Sequence, residues 1–201
     1  MVSSSTAYSF QMIHFVSLFF LLPSHETPLI HKHSISRSRS FLGSGIMFPI
    51  KAKQDVPVNK IFLHSVAVRG ELGPLTVWVS KPHIRPAENT RDYRFPLQKN
   101  HWDKIYEKTH EPSMREYQWL DFSQNPIELE PGQVRAIYIH STAPGDEAIV
   151  YDNANIRRQW QYGPPGHRGG TTEPRYQDAF VSIHTGKAHL SPRPFGQTPI
   201  W

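Results

Sequence analysis

The chain contains no cysteine among its 201 residues. That absence excludes a disulfide framework, a thiolate metal site and a cysteine nucleophile. It also lacks the run of about 20 apolar residues that a membrane-spanning helix needs. The longest strongly apolar stretch covers only residues 15–22. No segment keeps a 3.6-residue hydrophobic period over 12 residues, so a helical bundle is not expected.

Turn-forming and aromatic residues are plentiful. The chain has 18 prolines and 12 glycines, and 12% of its residues are aromatic, which is too many for a fully disordered chain. Short runs rich in β-branched residues lie between the Gly/Pro breaks, at 47–53, 56–68, 75–80, 127–130, 134–141, 147–152, 178–186 and 188–190. This pattern predicts an all-β fold, a single antiparallel β-sandwich of jelly-roll-like form over residues 46–201.

Residues 1–45 differ in composition from the rest of the chain. They are rich in serine and hold one acidic residue, Glu26. We expect a disordered or targeting extension here. The apolar stretch has the length of a secretory signal core but lacks a preceding Lys or Arg, and the scattered basic residues also suit organellar targeting. A cytoplasmic location is the favoured expectation, with secretory and organellar targeting as the alternatives.

Two long insertions interrupt the strand pattern, at about residues 81–100 and 153–177. The second carries four arginines against one glutamate, a net charge of +3. Arginines interleaved with aromatic side chains suit phosphate contacts and stacking. The candidate ligand-binding residues are therefore Arg157, Arg158, Trp160 and Arg168, and the expected partner is an acidic protein or a polyanion.

Several segments of residues 45–201 resemble a family of uncharacterised eukaryotic proteins found in fungi and algae-like lineages. They are GIMFPIKAK from Gly45, LHSVAVRGELGPLTVWVSK from Leu63, W-x-x-x-Y-E-K from Trp102, NPIELEPGQVRAIYIHS from Asn125, DEAIVYDN from Asp146 and GKAHLSPRPFG from Gly186. The resemblance implies a compact β domain and carries over no catalytic residue. Relatives continue past the equivalent of Trp201, so we expect the domain to be truncated at its C-terminus.

Three histidines occupy equivalent places in separate predicted strands and are each followed by a hydroxyl residue. They are His64, His140 and His184, and His189 follows five residues after the last. Three imidazoles on one sheet face would suit Zn or Fe. Strand alternation places each of the three opposite an aliphatic face, and we expect that histidine face to point to solvent. The metal set, if one forms, is His64, His140, His184 and His189.

Nucleophilic catalysis finds no support in the sequence. His140, Ser141 and Asp152 supply the residue types of a triad, but adjacent strand residues point to opposite faces, so His140 cannot serve Ser141. No G-x-S-x-G elbow and no phosphate-binding glycine loop is present. The sequence predicts a non-catalytic binding module without a cofactor. A metal-dependent enzyme using the strand histidines and a truncated structural fragment are the alternatives.

Overall fold

The computed structural model describes residues 8–10, 41–84, 95–144, 147–151, 174, 176–184 and 186–196. These residues form fourteen strands and one turn of 3-10 helix at Lys99–His101, and they contain no α-helix. The strands are β1 Tyr8–Phe10, β2 Phe41–Gly43, β3 Gly45–Ala52, β4 Ile61–Leu63, β5 Ser65–Gly70, β6 Gly73–Ser80, β7 Trp102–His110, β8 Ser113–Asp121, β9 Ile127–Leu129, β10 Val134–Ser141, β11 Ile149–Tyr151, β12 Tyr176–Gln177, β13 Val181–Ile183 and β14 Lys187–His189. The predicted all-β class is confirmed.

A seven-stranded sheet organises the fold. Its order is β12-β13-β3-β10-β6-β7, and β14 also pairs with β3. β13 pairs with Ile50–Ala52 and β14 with Gly45–Met47, so the two strands lie end to end along one edge of β3. All pairings in this sheet are antiparallel.

Three smaller sheets accompany the large one, with orders β1-β4-β9, β11-β2 and β5-β8. The β1–β4 pair is parallel, which departs from the purely antiparallel arrangement expected from the sequence. β1 and β2 belong to residues 1–45, most of which lie outside the described residues. Within the described part of that segment, β1 pairs with β4 and β2 with β11.

The aliphatic core joins the large sheet to the smaller ones. Alternate positions of β3, β6 and β10 face this core, as the period of two in a strand requires. The buried members from the large sheet are Ile46, Phe48, Ile50, Ala52, Leu75, Val77, Val79, Ile137, Ile139, Val181 and Ile183. They pack in one cluster with Ile61, Leu63, Val66, Val68, Leu120, Ile127, Leu129 and Ile149 from the smaller sheets. At about 1.5–3 kcal/mol per buried aliphatic side chain, this burial is the main stabilising contribution.

The chain crosses between sheets twice at one corner. β5 leads into β6 through residues 70–73, and β7 leads into β8 through a turn that contains Pro112. The first crossing depends on Gly70, whose φ of 146° is unsuited to other residues. A Cβ there would lie 2.5 Å from the carbonyl oxygen of Ala148. The backbone of Leu72 then donates to that oxygen at 3.0 Å.

The sequence did not predict β7 or β8. Both strands are largely exposed and carry charged or polar residues on both faces, so the hydrophobic alternation that marks a strand is weak. The predicted insertion at 153–177 is described only at residues 174, 176 and 177, and the last two form β12 rather than a loop. Of the insertion at 81–100, residues 81–84 and 95–100 are described.

Candidate functional site

The second face of the large sheet carries an aromatic cluster. Tyr138 of β10 stands opposite Trp78 of β6 and Met47 of β3. Trp102 joins them because β7 carries a bulge at Ile105, between its pairings with Val77 and Trp78. The bulge reverses the alternation, so Trp102 faces the aromatic cluster while Tyr106 packs against the aliphatic core.

Two segments cover this aromatic face. Phe195 lies edge-on to Trp78 with ring centroids 5.2 Å apart and to Tyr138 at 5.0 Å. Phe95 lies 6.3 Å from Trp102, whose Nε1 donates to the Pro96 carbonyl at 2.8 Å. Such edge contacts are the favoured geometry of aromatic rings. The face is therefore a second, aromatic core.

Two histidines meet at one end of this face, on either side of Gly45. In the sheet, His140 of β10 and His189 of β14 both pair with Gly45 of β3, which separates them. Cα atoms two strands apart are about 10 Å from each other, yet the ring centroids of His140 and His189 lie only 6.2 Å apart. The rings lean together because Gly45 has no side chain: a Cβ there would lie 3.0 Å from Tyr138 Cε2 and 3.2 Å from His140 Cδ2.

Both histidines tie the segment after β14 to the sheet. His140 Nε2 lies 2.9 Å from the carbonyl oxygen of Ser191, which can only accept, so Nε2 carries the proton. His189 Nδ1 lies 3.1 Å from the hydroxyl of Tyr138. Burial raises the pKa of Tyr138, so its hydroxyl stays protonated and donates to Nδ1.

Burial also keeps both imidazoles neutral. His140 has no exposed surface and His189 is 4% exposed. Burial lowers the pKa of His140, the proximity of His189 lowers it further, and the Ser191 carbonyl partly opposes both effects. The pKa of His189 is lowered by burial and partly restored by the backbone of Gly196.

Two ring nitrogens of this pair, His140 Nδ1 and His189 Nε2, are buried without a hydrogen-bond partner in the part of the chain that the structure describes. The Cδ2 edge of the His140 ring faces Gly45, so Nδ1 lies on the ring edge that is turned away from Gly45. The two imidazoles therefore do not direct these nitrogens toward a shared point between them.

The structure corrects the expected placement of the strand histidines. His140 does not face solvent, because residues 189–196 cover its side of the sheet. His184 follows β13, and its backbone N–H bonds to Pro49, four positions along β3 from Gly45. His64 lies between β4 and β5, outside the large sheet. Of the four predicted metal ligands only His140 and His189 come together, and no group of three or more potential metal ligands occurs among the described residues.

Among the described residues, the remaining candidates form no catalytic arrangement, and Asp152 lies outside the described residues. The hydroxyl of Ser141 donates to the carbonyl of Leu72 and accepts from the backbone of Ala143 at 3.0 Å, so it is engaged away from His140. The predicted ligand-binding residues lie outside the described residues; they are Arg157, Arg158, Trp160 and Arg168.

An open groove of about 460 Å³ lies elsewhere, at the margin of the aliphatic core. Its apolar walls are Val79, Pro82, Ile105 and Pro126, and its polar lining is Asp103, Asn125, Glu128, Glu130, Gln133 and Arg135. Two strands that lie at the ends of their sheets contribute to the groove. They are β7 of the large sheet and β9 of the β1-β4-β9 sheet.

Arg135 is a buried basic residue in the lining of the groove. It is 6% exposed, and its guanidinium donates to backbone carbonyls, from Nε to Ser80 at 2.8 Å and from Nη1 to Glu128 at 3.3 Å. Burial lowers the pKa of Arg135, and the negative charges of Asp103 and Glu128 act against that shift. Lys60 pairs with Glu128. Three carboxylates against Arg135 and Lys60 leave the groove with one excess negative charge.

Sequence reasoning missed both the aromatic face and Arg135. A signal for each was available within β10. Tyr138 and His140 are two residues apart and share a face, and Arg135 interrupts an otherwise apolar strand. A basic residue within a strand of this kind indicates a buried or groove-lining cation.

Comparison of the chain with protein-family models, curated proteins and solved structures finds no match. Within the described residues, no helix has the length and apolar character needed to cross a membrane.

Proposed function

We propose that the chain is a non-catalytic binding module of the β-sandwich type, and that its groove holds a cationic segment of a partner protein. The groove beside Arg135 is the observation that carries this proposal. Its volume of about 460 Å³ falls within the range of ligand pockets, roughly 300–1,000 Å³. Five of its ten lining residues lie on strands and the other five on the connecting segments, and loop residues positioned by a rigid scaffold suit recognition.

The lining suits a lysine or arginine side chain. The aliphatic stem of such a residue would contact Val79, Ile105 and the two prolines, while its charged end reaches Asp103 or Glu130. Neither carboxylate has an ion-pair partner among the described residues. Exposed charge pairs contribute only about 0.2–1 kcal/mol each, so the binding we propose is weak and sensitive to salt.

Calorimetric titration of the full chain with an end-blocked peptide of alternating Lys and Val tests the proposal. We expect binding that weakens with added salt and that is absent for the matching Glu–Val peptide. The double substitution Asp103→Asn and Glu130→Gln should weaken binding about 2- to 30-fold, the loss of two exposed charge pairs. Glu147→Gln, an exposed acid outside the groove, is the matched control. Equal affinities of the double variant and wild type would refute the groove as the site.

The positive charge of segment 153–177 favours a second partner, one that is negatively charged. Its net charge of +3 and its aromatic residues favour an acidic protein or polyanion bound through Arg157, Arg158, Trp160 and Arg168. Replacing the three arginines with alanine should lower the salt concentration at which the chain elutes from a heparin column. An unchanged elution position would rule this partner out, and the result is independent of the groove.

A further inference from the structure

We propose that residues 187–196 form a lid over the aromatic face and that acidification releases it through His140 and His189. The proposal concerns a different face from the groove and does not depend on it.

Few contacts hold the lid, and two of them pass through histidines. β14 pairs with only three residues of β3, Gly45–Met47. Beyond it, the Ser191 carbonyl accepts from His140, and His189 accepts from Tyr138. Phe195 completes the attachment by packing on Trp78 and Tyr138. Without the histidine contacts, the lid keeps the β14 ladder, the packing of the Phe195 ring and the backbone hydrogen bond of Phe195 to Tyr138.

The closed lid also buries polar atoms that lack a hydrogen bond. Within the described residues, no group meets hydrogen-bond geometry with His140 Nδ1 or His189 Nε2, although the Gly196 backbone is near enough to the His189 ring to raise its pKa. A buried polar group without a partner destabilises the state that buries it. Opening would let water reach both nitrogens, so these groups favour release even before they take up a proton.

Within the described residues, no carboxylate contributes to the pKa shift of either histidine, so none offsets protonation of the pair. On this face, β3 presents Gly45 and Met47 near the pair and Lys51 at its far end, and β6 presents the uncharged Thr76 and Trp78. The ionisable groups nearby are mostly basic or neutral: Lys187 and Arg193 on the lid segment, Lys99 over the Trp78 ring at 5.3 Å, Tyr138 itself and Lys104 of β7. The nearest acid on β7, Glu107, is bonded to Lys104 at 2.5 Å.

Acid therefore favours the open lid. Burial and mutual proximity disfavour the imidazolium form in the closed state, whereas in the open state the rings recover an ordinary affinity for protons. Below an ordinary histidine pKa of 6.5 the open state binds more protons than the closed one. Each histidine then multiplies the opening constant by about 10 for every unit of pH, down to its pKa in the closed state.

Release should remain local to the aromatic face. The aliphatic core lies on the opposite side of the sheet and includes no residue of the lid. Hydrogen exchange by mass spectrometry on the full chain, corrected for the intrinsic effect of pH, separates local from global opening. Between pH 6.5 and 5.5 we expect protection of 187–196 to fall about 10- to 100-fold, with peptides from β4 and β5 unchanged.

Substitutions that keep the hydrogen bonds but cannot take up a proton test whether the histidines cause the response of the lid to acid. The amide of His140→Gln can still donate to Ser191, and the side chain of His189→Asn can still accept from Tyr138. The double variant should lose the acid response, and each single variant should reduce the slope to about 10-fold per pH unit. His83→Gln, an exposed histidine, is the control and should respond like wild type.

Three outcomes would overturn the proposal. They are protection of 187–196 that does not change between pH 7.5 and 5, an acid response that survives in the double variant, and simultaneous loss of protection in β4 and β5. If the double variant does not fold, the single variants and the tryptophan emission of wild type test whether acid opens the lid. Wild type should show a red shift on acidification as Trp78 and Trp102 meet water, and a constant emission maximum would count against the lid.

Discussion

Two tyrosine–histidine pairs in this fold allow one chemical change to be tested in two environments. The Tyr138 hydroxyl bonds to His189 Nδ1 at 3.1 Å, with both side chains buried. The Tyr106 hydroxyl bonds to His110 Nε2 at 2.7 Å, with both residues partly exposed on β7. Replacing either tyrosine with phenylalanine removes one hydroxyl and leaves the ring in place.

The two substitutions should differ in cost because water can replace only one of the lost partners. In Tyr138→Phe, His189 Nδ1 stays buried beneath the lid without a partner, which costs about 1–3 kcal/mol. In Tyr106→Phe, solvent reaches His110, so we expect a loss below about 0.5 kcal/mol. At roughly 2–4 °C per kcal/mol for a chain of this size, Tm should fall by about 2–12 °C in the first variant and by less than about 2 °C in the second.

Urea unfolding followed by far-ultraviolet circular dichroism measures both free energies under the same conditions. The slope of the free energy with urea should match wild type in both variants, since neither change alters the surface exposed on unfolding. A Tyr106→Phe variant as destabilised as Tyr138→Phe would refute the argument, because burial would then not decide the value of the bond. So would a Tyr138→Phe variant as stable as wild type.

The remaining predictions concern the same face. Gly45→Ala should cost about 1–3 kcal/mol in calorimetric stability, because the new Cβ would lie 2.8 Å from the Ile139 carbonyl oxygen. Trp78→Ala should cost roughly 3–5 kcal/mol by urea titration, since the indole is 7% exposed and packs against Phe195 and Lys99. The urea midpoint should fall as the pH drops below 6.5, because burial lowers the folded-state pKa of His140 and the unfolded chain binds the proton more readily; a rising midpoint would contradict this. Elemental analysis should find no stoichiometric metal, since no group of three or more potential ligands occurs among the described residues; one Zn, Fe or Cu per chain would contradict it.

The strands that bury one aliphatic face could be predicted from the sequence. β10 lies at the predicted residues 134–141, and β6 begins only two residues before the predicted strand at 75–80. Alternation of aliphatic side chains carries this information locally, because the aliphatic face of each strand packs into the same core. β7 and β8 escaped prediction for the same reason, since both of their faces are polar or exposed.

The environment of the candidate site could not be predicted in this way. Alternation correctly assigned His140 and Tyr138 to the face opposite Ile137 and Ile139, but it does not say what covers that face. The cover comes from a segment about 50 residues later in the chain, and its contacts are not encoded in the pattern of β10 itself. Burial of His140 and Arg135 is therefore a tertiary property, visible only once β14 and β9 are placed beside β3 and β4.

The two faces of the large sheet differ in what they contribute to the protein. The aliphatic face joins four sheets in one cluster with few polar groups, and its packing depends weakly on pH. The aromatic face combines tyrosine, tryptophan and two neutral histidines under a short covering segment, so its stability depends on protonation and on a few hydrogen bonds. Because strand alternation separates these residues so completely, the lid can open without loss of the aliphatic core. A sheet built in this way can change one surface while the scaffold that carries the groove stays folded.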